Sequence, residues 1–383
     1  MRVDLRVCVI RAVLLAAIVL GGAPSGQSSA YCAKRAQKDA NEKVVVAYVT
    51  SWSRVMPDAR YMTHINYAFG HVTKSFDGVR IDNEKRLRSI TALKKDNPHL
   101  KVMLSVGGWG SGNFSEMAAD KHLRRSFAKD CKRVMKEYDL DGIDIDWEYP
   151  TSRAAGISAS PDDTDNFTLL MHDLRKALGR KALLTLASVS SANFVDFPAI
   201  LEYIDFVNIM SYDMGGAPKH HTALYSSPNT NMSADDAVKA HLKAGVPMSK
   251  LVLGMAFYGR GGGKGGFPNF MDYNRIPRQS EKYEERWDYQ AQAPYLVDMD
   301  GRFVFGFESP RSLAAKCRYV QQKGMKGAMY WEYSGDSEQN HLRTTVYEGI
   351  LGKPIADEQL QGLTLEHISQ PEPASASASA EAE

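Results

Sequence analysis

Eight short runs of mostly apolar residues punctuate the chain, and between most of them the apolar positions recur at helical spacing. Seven runs, at 44–49, 65–69, 102–106, 183–188, 206–212, 251–257 and 328–331, are almost continuous in aliphatic and aromatic residues. That is the pattern of short strands covered on both faces. Helical periodicity fills 87–97, 119–138, 162–178, 233–244, 309–323 and 341–351. Ser233 and the two aspartates after it read as an N-cap with an acidic first turn, and the Asp-rich start at 162 suits the helix dipole. The eighth run is different. From Gly142 to Pro150 it alternates strictly, with Asp144, Asp146 and Glu148 on one face and Ile143, Ile145 and Trp147 on the other. Carboxylates spaced two residues apart on one strand face repel, and the repulsion raises at least one pKa. A strand selected for stability alone would carry apolar residues there.

Strands separated by helices predict a parallel sheet, and a count of eight predicts a closed (β/α)8 TIM barrel. An open doubly wound sheet is the alternative, but no Gly-x-Gly-x-x-Gly follows the first strand. Catalytic groups of such barrels sit at the C-terminal strand ends, which is where Glu148 falls. One segment, 261–308, breaks the rhythm as a small insertion after strand seven. It opens Gly-rich, and its runs at 293–297 and 303–307 flank Asp298-Met299-Asp300-Gly301, a hairpin signal.

Composition narrows the function. The 383 residues carry a net charge of +2, which gives no electrostatic case for nucleic acid or for stable membrane association. A neutral substrate fits better. Residues 1–30 read as a secretory signal: Arg2, Arg6 and Arg11, an apolar run from Ala12 to Leu20, and small residues at Ser28-Ser29-Ala30. Export to the medium or periplasm is expected; a lipid anchor on Cys32 is the lesser reading, because Tyr31 is a poor neighbour for it. The catalytic domain is placed at 31–352, its first dozen residues a charged lead-in. The tail 353–383 is too poor in apolar residues to bury a core and is expected to be disordered. With no Cys-x-x-Cys, Cys131 and Cys317 read as buried free thiols, and Cys8 would leave with the signal. His220-His221 lacks a third ligand at suitable spacing and is assigned to a surface loop, so neither metal nor cofactor is expected.

The spacing Asp141-x-x-Asp144-x-Asp146-x-Glu148, followed by Tyr149-Pro150, resembles the signature of the family-18 glycoside hydrolases, the chitinases. Ser105-Val106-Gly107-Gly108, Met210-Ser211-Tyr212-Asp213, Tyr258-Gly259-Arg260 and Trp331 are similar to further motifs of that family, in the same order. The resemblance runs from Val44 to about Asp336 and implies hydrolysis of chitin or N-acetylglucosamine oligomers by a monomer. Protonating a glycosidic oxygen needs a carboxylic acid that still holds its proton, and Asp146 is expected to raise the Glu148 pKa by repulsion. The substrate's own 2-acetamido group would be the nucleophile, the family being an exception to the two-carboxylate scheme.

By resemblance, Asp146 would bond the acetamido N–H and share a proton with Asp144, while Tyr212 holds the acetamido oxygen. Trp331 would floor the cleavage point. Tyr48, Phe69 and Met210 match pocket positions, although each is equally read as barrel packing. Trp52 and Trp109 lie just past strands one and three, where exposed aromatics suit sugar faces. Asp213 and Arg260 match sugar-binding positions, an ordinary surface ion pair being the plain alternative. Tyr67 belongs to the core, Asp141 has the wrong parity for the pocket, and Gly107 and Gly108 permit close backbone approach. Two departures from the family predict a shallow cleft: an insertion shorter than usual, and Met214-Gly215-Gly216-Ala217-Pro218 where an aromatic is common. An endo-β-N-acetylglucosaminidase acting on N-glycans or peptidoglycan is the alternative function. A non-catalytic lectin comes last, because Glu148 is present.

Overall fold

The computed structural model describes residues 42–262, 267–277 and 281–352. The segment expected to be a signal, Cys8, Cys32, most of the expected lead-in, part of the Gly-rich stretch and the expected tail lie outside them. Fourteen strands are formed among the described residues: β1 (Val44–Thr50), β2 (His64–Val72), β3 (Val79–Ile81), β4 (Lys101–Gly107), β5 (Gly142–Asp146), β6 (Leu183–Val189), β7 (Phe206–Met210), β8 (Leu251–Ala256), β9 (Tyr258–Gly261), β10 (Phe270–Asp272), β11 (Tyr283–Asp288), β12 (Ala293–Asp298), β13 (Phe303–Gly306) and β14 (Gly327–Trp331). One sheet runs in the order β1-β14-β8-β7-β6-β5-β4-β2, and β1 pairs with β2 to close it. Every one of these pairings is parallel, and β3 is appended antiparallel to β2. The closed eight-stranded barrel expected from the eight runs is what forms.

Alternation along the strands separates two cores. Val45, Ala47 and Val49 of β1 join Ile143, Ile145 and Trp147 in a large layer between the barrel and its helices. Val44, Val46 and Tyr48 point the other way and pack inside the barrel with Phe206, Val252 and Met329. The free thiols of Cys131 and Cys317 are buried in the outer layer, as expected. Strand β5 is framed on both sides by its neighbours' registers, Ser105 beside Asp144 on β4 and Thr185 beside Asp144 on β6.

The helices match the periodicity with local adjustments. The helix expected at 119–138 forms as Lys121–Glu137, capped by Asp120, which accepts from His122 and Leu123 N–H, and a short helix the pattern did not announce, Phe114–Ala119, precedes it. Ser233 forms a full capping box with Asp236. The insertion is larger in architecture than its hairpin signal suggested. That hairpin, β12 and β13, is present, but β9, β10 and β11 join it in a five-stranded antiparallel sheet.

Candidate active site

Glycine makes the floor possible. A Cβ on Gly107 would lie 1.9 Å from the Asp146 carbonyl oxygen, and one on Gly108 would meet the Phe69 ring at 2.7 Å. Both residues also have positive φ, +131° and +93°, so strand β4 can approach β5 only as Gly-Gly. On the outer face, Trp147 stacks on Phe114 with centroids 5.2 Å apart and fixes the exit of β5. The inner face then presents Asp144, Asp146 and Glu148 upward in a row.

Asp144 is fully buried and accepts four hydrogen bonds, each from a different strand. Tyr48 Oη (2.8 Å) and Ser105 Oγ (2.9 Å) donate to Oδ2; Thr185 Oγ1 (2.5 Å) and Asn208 Nδ2 (3.2 Å) donate to Oδ1. Burial pushes its pKa up, and the donors partly offset that. None of the four bonds goes to Asp146. The proton shared between Asp144 and Asp146, implied by resemblance, is therefore not the arrangement seen; both oxygens of Asp144 already face neutral donors. Asp146, also buried, has an Oδ1 that accepts no hydrogen bond.

Burial pushes the Glu148 carboxyl up to about 7, with the negative charge of Asp213 adding to the rise and the neighbouring Tyr149 opposing it. The Asp146 carboxyl is driven well above its usual range by burial first, then by the charges of Glu148 and Asp144. This corrects the expected cause. Repulsion between Asp146 and Glu148 exists, but withdrawal from water is the larger effect on both, and the repulsion weighs on Asp146.

Tyr212 faces the same space. Its hydroxyl has Met329 Sδ at 3.7 Å, a weak acceptor that leaves the O–H available to a stronger one. Trp331 lies nearly parallel to Phe69, centroids 5.6 Å apart at 21°, with Tyr48 at 5.7 Å and Trp52 at 6.4 Å. Trp52 and Trp109 are 63% and 62% exposed, large apolar faces left in water at the cleft. Met210, Tyr48 and Phe69 line the cleft together with the acidic row.

Asp213 and Arg260 form a two-pronged ion pair, both contacts at 2.7 Å, and Tyr258 Oη donates to Asp213 at 2.8 Å. Partial desolvation works to raise the Asp213 carboxyl, but His221 and the Arg260 guanidinium beside it hold it well below the usual range. The pair is part of the cleft wall. All twelve residues singled out from the sequence border one cleft of about 500 Å³ or, for Asp144, sit directly beneath it.

Four readings about neighbours resolve as follows. Tyr67 is core, with its hydroxyl on the Asp82 and Asn83 carbonyls. Asp141 points away from the cleft and binds Val102 N–H, Lys94 and Lys101. His220 and His221 do not lie on a surface loop: both are buried, His220 against Phe303 and Tyr295 and His221 against Tyr258. The insertion sheet covers them, which a pair of polar residues could not announce. Tyr149, Tyr258 and Phe270 also line the cleft and carried no assigned role. The first two stand inside quoted motifs; Phe270, from the insertion, had no signal at all.

A (β/α)8 barrel with a raised-pKa glutamate at the end of its fourth barrel strand, in a cleft walled by exposed aromatic faces, is built for acid catalysis. The chain belongs to the Glycosyl hydrolases family 18, whose model matches residues 44–336. It is 33% identical over 319 residues to Chitinase A1 of Niallia circulans, covering 70% of this chain and 46% of that protein. It is 32% identical over 366 residues to an endochitinase of Manduca sexta, covering 79% of this chain and 65% of the relative. The chain thus spans about half to two thirds of the length of these relatives. Among solved structures, a family 18 N-acetylglucosaminidase from Paenibacillus barengoltzii superposes with a TM-score of 0.74 at 36% identity, covering 80% of this chain and all of that one.

Proposed function

We propose that this protein is a chitinase, hydrolysing β-1,4 bonds between N-acetylglucosamine units with retention of configuration. The observation that carries the reading is the contrast along β5 and its exit. Glu148, its pKa raised to about 7, keeps its proton well above the usual carboxylate range, while Asp146 beside it offers a buried oxygen with no partner. Glu148 protonates the glycosidic oxygen as the bond to the anomeric carbon breaks. The acetamido oxygen of the sugar bound over Trp331 attacks that carbon, giving an oxazolinium ring. Asp146 Oδ1 accepts the acetamido N–H and stabilises the positive charge that develops there. Tyr212 Oη donates to the acetamido oxygen and aligns it. Glu148, now a carboxylate, removes a proton from water, which opens the ring and returns the original anomer.

Names of the relatives support chitin and its oligomers as the substrate. The Paenibacillus likeness supports a second reading, an N-acetylglucosaminidase. The signal segment supports an exported protein, and among the described residues no helix is long and apolar enough to cross a membrane. Digestion of a chitin hexamer with anomer-resolved product detection tests the proposal. Initial products of β configuration, mainly dimers and longer, are expected. Release of monomer alone favours the second reading, and α products overturn the mechanism.

A further inference from the structure

We propose that the buried ion pair Lys316–Glu308, remote from the substrate, is the positioning device for Tyr212 and Asp213. It rests on the roles given above to those two residues. The chain leaves β7 at Ser211, passes through Tyr212 and Asp213, and returns at Thr222. It is closed on itself at two points: Met214 N–H donates to His221 O at 3.0 Å, and the single Thr222 hydroxyl hydrogen is shared between Ser211 O at 3.2 Å and Glu308 Oε1 at 3.0 Å. Ser211 Oγ is itself fixed to the Gly254 carbonyl on β8 at 2.8 Å. Arg260 and Tyr258 hold the Asp213 side chain from the β9 side; the backbone on either side of Tyr212 is set by where Ser211 and Thr222 are held.

Thr222 is held by Lys316. The Lys316 side chain, on the helix Pro310–Lys323, is 0% exposed, and that of Glu308 is 1% exposed. The ammonium has three N–H groups and three partners: the Thr222 carbonyl, Thr222 Oγ1 at 2.8 Å, and Glu308 Oε1. Glu308 Oε1 is also 3.0 Å from Thr222 Oγ1, and its other oxygen accepts from Ser312 Oγ. All the hydrogen-bonding capacity of the ammonium is thus spent on one residue of the loop and on the carboxylate that neutralises it.

Burying two charges is costly, and apolar residues of the same volume often make as stable a core. What an apolar pair does not do is specify the position of a backbone carbonyl. Lys316 does, and through Thr222 and Ser211 it sets the two residues that follow. Neither charge reaches the cleft, so the role is positioning rather than catalysis.

The test uses the full chain and Lys316→Met, with Glu308→Gln/Lys316→Met as the second variant should an unpaired buried Glu308 prevent folding. Turnover is measured on chitin oligomers well below each variant's melting temperature, alongside inhibition by a thiazoline mimic of the oxazolinium. The expected result is a fall in kcat of tenfold or more with a matching loss of thiazoline affinity, while KM changes by less than threefold. In a Tyr212→Phe background the same substitution should lower kcat by less than threefold at pH 6, because the hydroxyl whose aim it sets is already gone. A lower melting temperature with unchanged kcat and unchanged thiazoline affinity overturns the proposal, as does a full additional loss in the Tyr212→Phe background. Full activity of Tyr212→Phe alone would instead overturn the site reading on which the proposal rests.

Discussion

Two aspartates at opposite depths of the cleft are held in opposite ways. Asp144, under the floor, is bonded by four uncharged donors, and its pKa is still raised. Asp213, on the open wall, has a guanidinium across two oxygens, and its pKa is lowered despite partial desolvation. Neutral hydrogen bonds offset only part of the loss of water; a paired cation at the rim reverses it. Glu148 and Asp146 lie between these two environments with no cation of their own. The molecule therefore keeps fixed negative charge at the rim and leaves its exchangeable proton in the middle of the acidic row.

The comparison is broken most severely by removing the group that holds the proton. Glu148→Gln is expected to lower turnover on chitin oligomers by roughly 10²–10⁴ while binding survives; near-wild-type turnover would sink the assignment. The same variant should gain stability, with a definite sign. The folded carboxyl titrates near 7 against an ordinary 4.5, so its stability contribution is intact below pH 4.5 and is lost as pH rises through 7. Glu148→Gln should thus melt higher than wild type by roughly 5 °C at pH 8, with no difference at pH 4. Equal gains at both pH values would rule out titration as the cause.

Next in size, Thr185→Val removes one neutral donor beneath the floor without changing shape. A hydrogen bond to a charged group is worth about 1.5–3 kcal/mol, and urea unfolding at pH 7 should show a loss on that scale. A loss below about 0.5 kcal/mol would mean that Asp144 does not depend on its donors.

At the rim the expected effect falls on the pH profile instead. Asp213→Asn withdraws a negative charge that raises the Glu148 pKa. The alkaline limb of kcat/KM should move to lower pH by a fraction of a unit, because this charge is the smallest of the effects on Glu148, costing roughly two- to threefold at pH 8. A limb that stays in place separates Asp213 from the proton of Glu148.

Of similar size is the contribution of the insertion. Phe270 stacks on Tyr258 at 4.9 Å and forms part of the cleft wall. Phe270→Ala should raise KM for oligomers a few-fold, in line with about 1 kcal/mol for an aromatic contact. Should KM rise no more than that, the cleft is as shallow as the short insertion suggested.

What could be read in the sequence follows from how local each signal is. The barrel strands announce themselves because both faces are covered, and β5 does so because its parity separates carboxylates from isoleucines within a few residues. Tyr212, Asp213 and Arg260 were legible through short motifs. The donors to Asp144 were not, since Tyr48, Ser105, Thr185 and Asn208 come from four separate strands and meet only when the barrel closes. Strand β11, Tyr-Glu-Glu-Arg-Trp-Asp, is too polar to read as a strand, and its partner β12 supplies the apolar side. His220 and His221 were misplaced for the same reason: their cover is distant in sequence. The cause of the Glu148 shift was misjudged because repulsion is visible in spacing and burial is not.

Closure of the barrel by β1 and β14 also constrains how the chain can fold. Val44 is in register with Gly327, so the first barrel strand gains its partner on one side from residues almost three hundred positions later. Pairings this distant are slow to form, because a long loop must be closed before any contact rewards it. During synthesis, β1 and β8 each expose an unpaired edge until β14 arrives and bonds to both. A nascent chain lacking only β14 is consequently an open sheet of seven barrel strands with two bare edges, a form liable to associate with its neighbours. Arrival of a single five-residue strand, Gly327–Trp331, ends that exposure and in the same step delivers Trp331 to the cleft.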